Sequence, residues 1–193
     1  MNCKLFLISF LLLLMQHSKA QEVRFGVRGG LSLSNISEIN ASTNARTSFH
    51  LGGVMEALYD DKIAIQPEII FSQQGFDYAQ DGVERVFKLS YVHVPVMIKY
   101  YVSKNVYVES GPQIGFLYSA ELNTTVDGEQ MDIDIKEGMR SNDLGLNVGL
   151  GFQVKKHLNL TARYCYGLTN VVDRLPHEKF KNRIFQVSVG YFF

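Results

Sequence analysis

The chain has 193 residues, carries 19 lysines and arginines against 19 aspartates and glutamates, and is 46% hydrophobic. That length suits one domain and hardly two, and the balanced charge excludes a nucleic-acid binder, which needs a concentrated basic surface. The first residues read as an export signal. Lys4 gives a basic start, Leu5 to Met15 is an apolar run of 11 residues, and Ser18-Lys19-Ala20 ends on a small side chain. The run is too short to span a bilayer as a helix. We therefore expect residues 1–20 to be a signal peptide and 21–193 to form one domain beginning at Gln21. Cys3 lies ahead of the run, so it is not placed as a lipoprotein cysteine. Loss of Lys4 and Lys19 leaves a net charge of −2. Cys165 then stands alone as a small packing residue, with no partner for a disulfide. No later apolar run reaches the length of a membrane helix, so a mature chain that crosses a membrane must do so as a barrel.

Eight segments with period-two alternation follow, the mark of strands with one apolar and one polar face. The first, Glu22–Leu33, sets Val23, Phe25, Val27, Leu31 and Leu33 against Arg24, Arg28 and glycines. The second, Ser48–Asp60, sets Phe49, Leu51, Met55, Ala57 and Tyr59 against His50, Gly52 and Glu56. The third, Lys62–Gly75, sets Ile63, Ile65, Ile69 and Phe71 against Gln66, Glu68, Ser72 and Gln74. The fourth and fifth form an antiparallel hairpin within Leu89–Ala120, turning at Ser103-Lys104-Asn105. Its polar face carries His93, Lys99, Glu109 and Gln113. The sixth, Asp143–Lys155, alternates leucine, valine and phenylalanine with Asp143, Asn147, Gln153 and glycines. The seventh, Leu158–Asn170, holds Arg163 on its polar face, and the eighth, Arg183–Phe193, ends the chain on an apolar face of Phe185, Val187, Val189, Tyr191 and Phe193.

The connections alternate between tight turns at Asp60–Lys62, Ser103–Asn105 and Lys155–His157 and long polar links at Ser34–Thr47, Phe76–Arg85, Glu121–Asn142 and Val171–Asn182. Short turns and both termini at one end, with long links at the other, are the topology of an outer-membrane barrel. We expect an all-β fold, an eight-stranded antiparallel up-and-down transmembrane β-barrel with short periplasmic turns and long extracellular loops. Composition decides which face is inside. The polar face is glycine-rich and thin in charge, with Arg24, Arg28, Lys99 and Arg163 against Glu56, Glu68 and Glu109. That suits a narrow lumen filled by side chains. These seven residues are the candidate lumenal ion pairs, with Glu56 within a long arginine's reach of Arg28's depth. A soluble, lipocalin-like ligand-binding barrel is the alternative, but its polar face would be solvated and rich in charge. Tyr59, Tyr100, Tyr191 and Phe193 near the turns, and Phe49, Phe71, Tyr118, Tyr166 and Phe185 near the loops, are expected to form interfacial girdles. Pro67, Pro95 and Pro112 fall inside predicted strands, where each should mark a bulge or an interruption of pairing.

The stretches FGVRGGLSLSN (25–35), IQPEIIFSQQGF (65–76), YVHVPVMIKYY (91–101), ESGPQIGFL (109–117), NDLGLNVGLGF (142–152) and RYCYGLTNV (163–171) resemble the PorT-like outer-membrane β-barrel family of Gram-negative bacteria. The likeness implies the outer membrane as location and its lipid as surroundings. Because the founding member is associated with protein secretion across that membrane, it also implies envelope or secretion proteins as partners. Tyr191 and Phe193 resemble the C-terminal aromatic signal read by the barrel assembly machinery. His93 stands where the family commonly has an acidic residue. The resemblance carries no catalytic motif and implies no cofactor.

An enzyme would need a nucleophile and a base together. Ser48 with His50 and Ser90 with His93 are the available pairs, and no serine, histidine and acid fall into defined roles. The acidic row Glu129, Asp132, Asp134 and Glu137, after a turn signal at Asp127-Gly128, reads either as a calcium site or as a loop hairpin with a solvated edge. The spacing of an EF-hand is missing, which favours the hairpin. With no large pore expected from eight strands, the chain reads as a structural or interaction barrel that presents its loops. An accessory part of a secretion or envelope assembly is the second reading.

Overall fold

A computed structural model describes residues 22–37, 43–80, 83–126, 129–170 and 181–193. The leader, the turn at 127–128 and most of the last polar link lie outside these. Among the described residues there are nine strands: β1 (Glu22–Ser37), β2 (Thr43–Leu58), β3 (Ile63–Gln80), β4 (Val83–Tyr101), β5 (Val106–Val126), β6 (Glu129–Asp134), β7 (Asn142–Lys155), β8 (Leu158–Gly167) and β9 (Lys181–Phe192). Each pairs antiparallel with its neighbours in the order β4-β3-β2-β1-β9-β8-β7-β5, and a β4–β5 ladder closes the ring. That is the expected eight-stranded barrel, with β6 added to the upper part of β5.

The faces fall as the alternation predicts. Phe25, Leu31, Leu51, Ile69, Ile98, Val148 and Val187 are among a large set of outward, exposed apolar side chains, while the buried set is dominated by polar and charged ones. A soluble barrel would invert this. In lipid, a closed ring satisfies every ladder hydrogen bond and leaves no edge, so the apolar side can face acyl chains. The aromatic side chains named as girdles stand on this outer face. Phe49 and Phe71 approach to 6.2 Å, and Tyr191 and Phe193 to 5.8 Å.

The prolines interrupt pairing without shifting it. The β2–β3 ladder breaks between Val54–Glu68 and Ala57–Ile65, at Pro67. The β3–β4 ladder breaks between Pro67–Val96 and Ile70–His93, opposite Pro95, and the β4–β5 ladder between Pro95–Gln113 and Ile98–Ser110, at Pro112. Register is the same on both sides of each gap, so no face slips. The true shifts lie elsewhere, between Ala45 and His50, Ser90 and Tyr91, and Gln153 and Lys155.

The second polar link differs from the expectation in kind, and the third takes the hairpin form that its spacing favours. Phe76–Gln80 and Val83–Arg85 continue the β3–β4 ladder, and Glu121–Val126 continues β5 to pair with β6. These segments are paired hairpins, because sparse hydrophobicity above the membrane does not prevent a ladder from extending. At the same end, Ile135 and Met139, flanking a 3-10 turn at Lys136–Gly138, pack on the buried cluster of Leu89, Tyr91, Leu117 and Ala120 and cap the mouth.

Inward glycines make the room this filling needs. A Cβ at Gly52 would lie 2.0 Å from the backbone oxygen of Ile69, whereas one at the adjacent, outward Gly53 would meet nothing within 4 Å. We expect Gly52→Ala to cost about 1–3 kcal/mol, as overpacking does, read as a lower urea midpoint in lipid vesicles. Gly53→Ala should unfold like the parent.

Candidate functional site

Seven charged side chains sit at alternate positions of β1–β5 and β8, and the inward pleat gathers them in two connected groups. In the upper group Glu68 is central. Its carboxylate accepts from Arg28 Nη1 at 2.9 Å and from both terminal nitrogens of Arg163 at 2.8 and 2.9 Å, while Gln66 Nε2 donates to the same carboxylate. The remaining nitrogen of Arg163, Nε, donates to Glu109 Oε1 at 2.8 Å. The other Glu109 oxygen makes no hydrogen bond and faces Arg28 at 3.9 Å.

In the lower group Glu56 takes Lys99 Nζ at 2.6 Å on one oxygen and Arg24 on the other, with the Tyr101 hydroxyl 3.3 Å from both. Lys99 also lies 4.4 Å from the Tyr107 ring centroid and 5.5 Å from that of Phe192. Thr161 ties the groups together, accepting from Arg28 Nη2 at 3.3 Å and bonding the Tyr107 hydroxyl at 2.7 Å. By depth along the strands alone, Glu56 is within reach of Arg28. The structure gives Glu56 to Lys99 and Arg24, because Arg24 is its direct cross-strand partner.

Above the charges the lumen is filled by hydrogen-bonded polar side chains. His50 bonds Ser32 through Nδ1 at 2.9 Å and Ser188 through Nε2 at 2.7 Å, and His93 Nε2 meets Gln74 at 2.7 Å. The pairs considered for catalysis are not assembled. Ser48 donates instead to the backbone oxygen of Gln73, and among the described residues neither histidine hydrogen-bonds a carboxylate. The acidic row is likewise dispersed: Asp132 accepts from Asn123, Asp134 caps the Lys136 amide at 2.9 Å, and no metal-binding cluster occurs among the described residues. The void beside His93, Gln113 and Arg163 measures about 10 Å³, room for one water at most.

Sequence reasoning passed over Tyr107 and Phe192, which wall in Lys99. The signal for Tyr107 is its alternation with Glu109 and its place opposite Gly151, where a Cβ would come 2.0 Å from the Tyr107 ring. Phe192 points inward because Tyr191 and Phe193 on either side point outward.

Charges so enclosed are tolerable only in pairs, and removal of one partner leaves the other uncompensated at about 3–5 kcal/mol. Glu68→Ala, which strands two arginines, should lower the urea midpoint most. Glu137→Ala, on the exposed 3-10 turn, should leave it unchanged. The double change Glu56→Gln with Lys99→Met should cost less than the worse of its two single changes. Heat-modified gel mobility and urea titration in lipid vesicles measure all three.

The comparisons with known proteins agree with this architecture. Among solved structures, Ail of Yersinia pestis superposes with a TM-score of 0.58 at 15% identity, covering 89% of this chain and 99% of that one. Ail in complex with the heparin analogue sucrose octasulfate gives 0.55 at 16% identity over the same shares. Neisserial surface protein A gives 0.53 at 12% identity, covering 89% and 97%. At these identities the likeness is one of fold. No curated protein matches the sequence. The family model described as outer membrane protein beta-barrel domain matches residues 16–173, most of the chain. The protein therefore belongs to the outer-membrane β-barrel domain family of the Gram-negative outer membrane.

Proposed function

We propose that this chain is a non-enzymatic, poreless barrel whose working surface is the set of extended hairpins above the membrane. The observation that carries the reading is the filled lumen. From the outside inward it is closed by the cap on Leu89 and Tyr91, the histidine hydrogen bonds and the two ion-pair groups. The hollow at the periplasmic mouth, about 390 Å³, reaches only to Arg24 and Tyr101. Nothing so filled passes solutes by diffusion. Residues 1–20 serve as the export signal, and Tyr191 and Phe193, both outward at the last strand, serve the barrel assembly machinery as a recognition element.

A second reading, an accessory component of a secretion or envelope assembly, is favoured by the resemblance of 65–76 and 91–101 to the PorT-like family. Loss of secreted proteins from the cell surface in a deletion strain, restored by the full chain and not by one lacking β6, would support it. Purified protein in planar bilayers should show no steady conductance. Large, stable, porin-like steps would contradict the poreless reading.

A further inference from the structure

Among the described residues β6 is the one strand that has a ladder on a single side. β6 pairs with β5 over its six residues, and among the described residues no strand pairs with its other side. The direction of its hydrogen bonds follows from the next residue. Ile135 N–H donates to Ala120 O at 3.0 Å, so in an antiparallel ladder Ile133 and Met131 bond toward β5. Gln130 and Asp132 then point their N–H and C=O groups away. Natural edges are blunted by shortness, by charged side chains (lysine above all), by proline, by a bulge or by a covering segment. The charge on β6 is acidic, which bars a like-charged strand and leaves a basic one free to pair. β6 has no lysine and no proline, and its pairing with β5 runs without a shift. Its exposed side chains alternate apolar with acidic: Met131 and Ile133 are 57% and 45% exposed, with Asp132 and Asp134 also exposed between and after them.

We propose that the outer edge of β6 is a docking site for an extended segment of a partner protein that alternates apolar and basic side chains, added as a further antiparallel strand. Main-chain bonds to Gln130 and Asp132 supply the pairing, and the side-chain pattern supplies the selection. Charge decides the occupant. A second copy of β6 would set aspartate against aspartate across the new ladder, which is unfavourable. Lysine or arginine at the same positions is complementary. This inference rests on the reading of the hairpins as the working surface.

The test uses the full mature chain in lipid nanodiscs and fluorescent peptides of about eight residues, a common strand length. One alternates valine with lysine, one alternates valine with glutamate, and one is the valine–lysine peptide N-methylated on alternate amides. The valine–lysine peptide should bind saturably, and the other two should be weaker by about tenfold or more. Asp132→Pro removes the N–H that points away from β5 and also the carboxylate that accepts from Asn123, so it is read against Asp132→Asn, which keeps the N–H. The hairpin should persist in both, and binding of the valine–lysine peptide should be about tenfold weaker in the proline variant than in the asparagine one. Asp132→Lys with Asp134→Lys should turn the preference toward the glutamate peptide. The inference is overturned by an absence of binding, by binding indifferent to N-methylation and to Asp132→Pro, or by self-association that Asp132→Pro abolishes. Labelling of Asp132→Cys on intact cells by an impermeant maleimide separates the two levels. Labelling without peptide binding defeats the docking site alone, and failure to label defeats the surface reading beneath it.

Discussion

A backbone in a bilayer core has no water to bond, so its ladder must close on itself. Closure is the constraint on which the rest of this molecule depends. It is made by one long-range seam, β1 with β9, the first strand with the last, sealed at the end by Phe193 N–H donating to Phe25 O at 2.8 Å. Once eight strands are joined, the pleat leaves each residue one of two environments, lipid or lumen. The alternation in the sequence is the trace of that choice.

A lumen this narrow must be filled, and the filling here is ionic rather than apolar. Four cations meet three glutamates in two groups, and Arg163 spends all three guanidinium nitrogens on Glu68 and Glu109. Replacement of such a network by apolar side chains is often neutral for stability, so its retention is better understood as a means of setting register. Arg24 opposite Glu56 is satisfied only when β1 and β2 are in this register, and Arg163 of β8 reaches Glu68 of β3 only when β9, β1 and β2 are in place between them. The inward glycines are the counterpart of this network. Gly149 and Gly151 stand opposite Glu109 and Tyr107, and any side chain there would displace them.

The sequence made the ring legible because strands facing lipid on one side and a polar interior on the other carry a strict two-residue period. The tight turns, the strand count and the inward placement of Arg28, Glu68 and Arg163 all follow from it. The partner of Glu56 was not legible. Depth along a strand depends on the register of its neighbours, and only the β1–β2 ladder shows Arg24 directly opposite. The extent of β3, β4 and β5 was missed for a different reason. Above the membrane, polar residues such as Gln80 and Thr124 pair as well as apolar ones, so composition no longer reports the ladder. The prolines were readable as weak points, but only the ladders show that each removes a few bonds and leaves the faces unchanged.

The account stands on the apolar face being in contact with lipid. Nitroxide labels on cysteines at Phe25, Ile69, Val148 and Val187, in a Cys165→Ala background in lipid vesicles, measure this through collision with oxygen and with a water-soluble nickel chelate. Oxygen concentrates in the bilayer core and the chelate in water, so all four sites should collide with oxygen in preference to the chelate. Labels at Tyr59 and Tyr118, nearer the two interfaces, should show the preference weakened. Free access of the chelate to Ile69 and Val148 would contradict the account and place the greasy face in water.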